Sequence, residues 1–356
     1  MTCTARRLAL LAFSLALPAA LLAAAMPACA SPDLALPWPD QASADAPAGQ
    51  PMTFPSRSPF AFSDVGNGPD EEPPTQAQGT LYLPAGASPE APVPAIVLLH
   101  GASGVMNARG PTYARQFAAR GAAALVVDVF GARRERGSGF INRLLEITEA
   151  MFLADAYAAL DFLAARPEID AQRIALVGFS YGGMAATYAA YAQVAERYAP
   201  NGRRFAAHVA FYAPCIAEFE DHRGTGAPLL MLFGARDATV DAERCARVAA
   251  QLEAGGSEVE TAVYEDAVHQ WDGAFGRERE IGRSLAPCSF VVARDGSVLD
   301  RNLLWLPMAN GFLRKVMLAL CAAEDGYLIG RNDEIRARSN RAMGEFLERA
   351  LYPPDG

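Results

Sequence analysis

Apolar residues recur along this chain with two alternating periods. Short, nearly continuous runs at 80–83, 95–99, 123–128, 174–177, 206–212, 229–233 and 259–264 have the length and content of buried strands. Between them lie stretches with apolar positions at helical spacing, at 112–120, 149–166, from Ser180 to about 198, at 241–253 and at 338–351. In 149–166 the repeat is Met151, Ala154, Ala158 and Phe162, and Pro167 ends it; Gly121 and the pair Gly255 and Gly256 close two of the others. Strands alternating with helices predict a mostly parallel sheet covered by helices on both faces. Residues 273–335 break the rhythm: a hairpin is expected around Asp295 and Gly296, and the stretch reads as an insertion. No internal repeat is visible.

The ends of the chain look different. Arg6 and Arg7 precede an apolar run, 8–26, and Ala28-Cys29-Ala30 has the small-residue pattern of a cleavage site before Ser31. Residues 1–30 are therefore expected to be a secretory signal peptide, and the protein to be exported, periplasmic or secreted, in a bacterium. Two other fates stay open, a lipid on Cys29 or an uncut membrane anchor. Residues 31–75 carry ten of the 25 prolines, seven acids and one base, Arg57, which predicts an extended arm ahead of a catalytic domain at 76–356.

Composition narrows the possibilities. At 51% hydrophobic the chain can bury a large core, and its net charge of −9 with no basic stripe excludes nucleic acid as a partner. Beyond the leader there are four cysteines, which allow three pairings. Pairing neighbours along the chain, Cys215–Cys245 and Cys288–Cys321, is favoured over four buried free thiols in an oxidising compartment. None of them has metal-ligand spacing to a histidine, so no metal is expected. Oligomeric state is left open.

The run 174–177 leads into Gly178, Ser180, Gly182 and Gly183, and then a helix. This G-x-S-x-G pattern at a strand-to-helix turn resembles the nucleophile elbow of the α/β-hydrolases. A serine on so sharp a turn stands clear of the sheet. The helix behind it aims its N-terminus at the site, so the Tyr181 amide is a candidate oxyanion donor.

Serine needs a base, and the base needs a carboxylate. Of four histidines, His100 ends the 95–99 run and is expected to support its loop; His208 lies inside a strand and is expected to be a satisfied core residue; His222 sits in a polar loop without a motif. His269 follows the last long strand and is the candidate base. Asp237, three residues past Gly234, is the candidate acid, with Asp241, Glu265 and Asp266 as weaker rivals. The order Ser180, Asp237, His269 is the α/β-hydrolase order. The second oxyanion donor is expected from the loop 100–104, at the Ala102 amide with Ser103 as the near alternative. Ser103, Arg133 and Trp271 are candidates for the substrate pocket, against plainer readings of Arg133 as a solvated charge and Trp271 as packing for the histidine loop.

Together these segments resemble the dienelactone hydrolase family: the run 94–101 ending in His100 and Gly101, 127–133, the elbow 178–183, the stretch 234–237, and 264–269 followed by Trp271 and Asp272. The resemblance covers about 76–272 and the last helix. It implies the α/β-hydrolase fold and acyl-transfer chemistry on a small-molecule ester or lactone, with no cofactor. One position departs from the pattern, because Ser180 stands where the family's eponymous members carry cysteine. Serine suits ordinary ester hydrolysis. A peptidase or acyltransferase on the same fold, and a catalytically idle envelope binding protein, remain as alternatives.

Overall fold

A computed structural model describes residues 34, 47–65, 75–137, 139–302 and 305–352. The leader and its alternatives, including Cys29, lie outside them. The chain enters the main sheet as β1 (Gln50–Ser56) and β2 (Thr75–Tyr82), followed by β3 (Val93–Leu99), α1 (Gly110–Ala119) and β4 (Ala123–Val127). Next come α2 (Phe140–Glu146), α3 (Glu149–Ala164), β5 (Ile169–Phe179), α4 (Tyr181–Ala189), α5 (Ala192–Tyr198) and β6 (Ala207–Phe211). After them run β7 (Ala217–Phe219), β8 (Leu229–Gly234), α6 (Ala242–Ala254) and β9 (Val259–Tyr264). The remainder holds β10 (Arg279–Ile281), β11 (Phe290–Val292), β12 (Val298–Asp300), α7 (Gly311–Cys321), β13 (Tyr327–Ile329) and α8 (Asp333–Leu351).

Eight strands make one sheet in the order β1-β2-β4-β3-β5-β6-β8-β9. The pairs from β4 to β9 are parallel, while β1 and β2 form an antiparallel edge. Successive side chains on a strand point to opposite faces. So Val97 and Leu99 of β3 pack with Met151 of α3 and Met184 of α4, whereas Ile96 and Leu98 pack with Tyr113 of α1 and Phe346 of α8. Burial on both sides is why the central strands read as unbroken apolar runs rather than alternating ones.

Three local outcomes depart from the periodicity. Part of the proline-rich arm is β1, whose register with β2 runs from Gln50 opposite Leu81 to Ser56 opposite Thr75; prolines are tolerated there because the strand lies at an edge. The helix after Ser180 breaks at Tyr191, since Ala192 N–H turns to the Arg223 carbonyl at 2.8 Å and Thr225 N–H caps Ala190 at 2.8 Å. The last helix starts earlier than its apolar repeat, because Asn332 caps it by accepting from Ile335 N–H at 3.1 Å.

Both expected disulfides are formed, Cys215–Cys245 and Cys288–Cys321, with Cα atoms 5.2 and 4.9 Å apart. The hairpin expected around Asp295 and Gly296 is β11 and β12, and it adds to β7 as a small three-stranded sheet. His208 is in the core at 1% exposure, but it is not satisfied: neither ring nitrogen has a hydrogen-bond partner among the described residues.

Candidate active site

Strand β5 delivers Ser180 at φ 52° and ψ −110°, a region that non-glycine residues enter only when their surroundings force it. The surroundings are backbone. Ser180 N–H donates to Phe211 O at 2.9 Å, and Met184 N–H donates to Ser180 O at 2.9 Å. A Cβ on Gly178 would lie 2.0 Å from Gly182 O, and one on Gly182 would lie 2.5 Å from Leu99 O. Only glycines let strand, helix and neighbouring loop pass this closely.

Ser180 Oγ lies 2.9 Å from His269 Nε2, and His269 Nδ1 lies 2.7 Å from Asp237 Oδ2. All three residues are buried, at 8, 1 and 4% exposure. The other carboxylate oxygen of Asp237 accepts from Thr239 N–H at 2.9 Å and from Thr239 Oγ1 at 2.7 Å. The Thr239 hydroxyl oxygen is also 3.1 Å from His269 Nδ1. Since the carboxylate and the hydroxyl oxygen both face Nδ1, the proton belongs on Nδ1, which leaves Nε2 free to accept from serine. Thr239 escaped the sequence reading. Its signal was an Asp-x-Thr spacing, the local turn in which a carboxylate bonds the backbone two residues on.

The loop after β3 abuts the elbow: a Cβ on Gly101 would come 3.3 Å from Ser180 Cβ. His100 braces it, donating from Nδ1 to Gly101 O at 2.8 Å and accepting Val129 N–H on Nε2 at 3.2 Å. Burial holds this imidazole down at about 4, so it is neutral and fits one donor and one acceptor. Ala102 follows, and the Tyr181 amide opens α4, where a helix has backbone donors to spare. Ser103 lines a surface groove with Val105, Phe130, Arg134 and Arg143.

Two pocket candidates are corrected. The Arg133 guanidinium points inward, 2.7 and 2.9 Å from the Asp155 carboxylate and 2.9 Å from Ser58 Oγ, so it has no reach to a ligand. Trp271 is fully buried beside the histidine loop, its ring 4.8 Å from that of Tyr212 and its N–H donating to Ser339 Oγ at 3.0 Å. The plainer reading of Trp271, as packing, describes it.

The histidine loop is further held by a buried network that the sequence did not announce. Tyr212, at φ 38°, lays its ring 4.9 Å from His269 and donates its hydroxyl to Asp272 Oδ1 at 2.6 Å. Arg109 Nε donates to the same carboxylate at 3.2 Å.

Residues 78–293 match the sequence profile of the Dienelactone hydrolase family. Among solved structures, the fold is similar to that of Thermogutta terrifontis esterase 2 phosphorylated by paraoxon. The identity is 17%, with 87% of this chain and 98% of that one covered and a TM-score of 0.52. The propionate-bound form of that thermophilic esterase gives 17%, 88%, 97% and 0.51. A dienelactone hydrolase-like promiscuous phosphotriesterase from metagenomic libraries gives 22%, 63%, 84% and 0.44. No curated protein matches the sequence.

Proposed function

This chain belongs to the dienelactone hydrolase family, and from that premise we propose that it is an exported serine esterase acting on a small carboxylic ester or lactone. The observation that carries the proposal is the hydrogen-bonded file from Ser180 Oγ through His269 to Asp237, with links of 2.9 and 2.7 Å.

Ser180 Oγ attacks the ester carbonyl carbon while His269 Nε2 takes its proton. Asp237, bonded to Nδ1–H, stabilises the imidazolium that results. The carbonyl oxygen becomes an oxyanion held by the Tyr181 and Ala102 amides, each such donor contributing about 3 kcal/mol to the transition state. Collapse of the tetrahedral adduct breaks the bond to the leaving oxygen, which takes the proton from Nε2; an ester then releases an alcohol, whereas a lactone opens with the new hydroxyl still on the acyl chain. Water then repeats the sequence on the acyl-serine, giving up a proton to Nε2 and releasing the acid. The proton returns to Ser180. The groove beside Ser103 is where the rest of the substrate would extend.

The two disulfides support an oxidising compartment. One preparation tests both halves of the proposal. Periplasmic enzyme should begin at Ser31 and turn over p-nitrophenyl esters between acetate and decanoate. Ser180→Ala should fall to the assay floor, a loss on the order of 10⁶-fold in kcat. Unchanged turnover in Ser180→Ala would remove the serine mechanism, and an intact Met1 would remove the cleaved leader.

A further inference from the structure

The segment that interrupts the regular alternation returns to the residues it leaves. It departs after Asp272, and two short arms of it then run antiparallel as a stem. Arg279, Glu280 and Ile281 pair with Ile329, Leu328 and Tyr327. Further out, Ser284 and Ala323 exchange backbone hydrogen bonds at 3.2 and 2.9 Å, and the Cys288–Cys321 disulfide closes the outermost rung. The β11–β12 hairpin and α7 lie beyond that rung.

At its inner end the stem touches His269 itself and the loop that carries Asp237. His269 N–H donates to Leu328 O at 3.0 Å, and Gly330 N–H donates to His269 O at 3.1 Å, so the main chain of the base is bonded on both sides to one arm. The Tyr327 ring stands 5.2 Å from the imidazole, edge to face. The other arm grips the acid loop on either side of Asp237. Arg236 holds Glu278 with two bonds, 2.7 and 3.0 Å, and Ser284 Oγ donates to Ala238 O at 3.3 Å. The base and the acid sit on loops after different strands, β9 and β8, and the stem ties both loops together.

We propose that this stem is a positioning element of the active site, fixing His269 against Asp237 and Ser180, with Tyr327 as the positioning residue that closes the imidazole's flank. The proposal rests on the reading of Ser180, His269 and Asp237 as the reacting groups. A base held by its own backbone on one arm cannot drift without opening the stem. Small displacements matter, because a shift of about 1 Å in a reacting group costs about 100-fold in rate.

The test compares wild type, Tyr327→Ala, Tyr327→Phe and the Cys288→Ala/Cys321→Ala pair as full chains, with active sites counted by fluorophosphonate labelling. Per labelled site, Tyr327→Ala and the cysteine pair should lose between about 10- and 100-fold in kcat with KM unchanged, and Tyr327→Phe should recover most of it. Should the cysteine pair not accumulate, reduction of the folded wild type, which also opens Cys215–Cys245, is compared with reduction of a Cys215→Ala/Cys245→Ala chain, where only the outer rung can open. Wild-type kcat per labelled site in Tyr327→Ala or in the opened disulfide overturns the proposal. So does a loss confined to KM, which would make Tyr327 a substrate contact. Failure of the serine reading is seen separately, as activity surviving in Ser180→Ala.

Discussion

Arg133 and Asp155 face each other with both ends of the guanidinium engaged, at 2.7 and 2.9 Å, and with side-chain exposures of 1 and 0%. The pair joins the loop after β4 to α3. Ser56 Oγ, on β1, donates to the same carboxylate at 2.6 Å, so the edge strand is tied in as well. An arginine beyond a strand's carboxyl end, where ligands of such sheets bind, is here a structural cation.

Removing one member of a buried pair strands the other's charge, and the usual cost is about 3–5 kcal/mol. Asp155→Ala should therefore lower the urea midpoint of unfolding by that equivalent while the folded fraction keeps its KM. A raised KM with unchanged stability would return Arg133 to the substrate site.

Asp237 holds the histidine tautomer, and replacing its carboxylate by an amide turns a donor toward Nδ1. Asp237→Asn should fold normally and lose about 10⁴-fold in kcat. Thr239→Val, which takes away one bond to Asp237 and leaves the carboxylate in place, should lose far less. Equal losses in the two variants would mean that the threonine, rather than the charge, orients His269.

His208 makes stability depend on pH. Burial holds its imidazole down at about 3, against an ordinary value of 6.5. The native state therefore refuses a proton that the unfolded chain accepts below 6.5. Stability is full above that pH and falls as the pH drops toward 3, by about 1.4 kcal/mol per unit for one such group. His100, held at about 4, acts in the same direction. His208→Leu should flatten the slope of unfolding free energy between about pH 4 and 6 by roughly 1.4 kcal/mol per unit. Urea midpoints at three pH values would show it, and parallel slopes for variant and wild type would refute it.

Much of this site was legible because its chemistry is local. The elbow needs glycines at fixed offsets from Ser180, so a few consecutive residues carried the signal. Asp237 and His269, which the structure sets in line with Ser180, were singled out by their places after successive strands, which the apolar runs marked. Thr239 and Tyr212 were missed for opposite reasons. Thr239 works through a two-residue turn too short to stand out, and Tyr212 acts through a ring that only a folded sheet sets beside His269. Arg133 was misplaced because a sequence gives the end of a strand but not the direction in which a side chain turns.

The sequence by itself determined the alternation of strands and helices, the elbow turn, and the places of Ser180, Asp237 and His269 after successive strands. Each of these follows from periodicity, turn chemistry or spacing along the chain. The pairing of the four cysteines, only favoured there, was decided by the fold. The tertiary structure alone decided that part of the proline-rich arm is an edge strand and that Arg133 turns into Asp155. It also decided that the interruption after His269 folds back onto the main chain of His269 and the loop that carries Asp237. Those outcomes depend on contacts between residues far apart in the chain, where free energy is set by mutual burial and hydrogen bonding that no local pattern encodes.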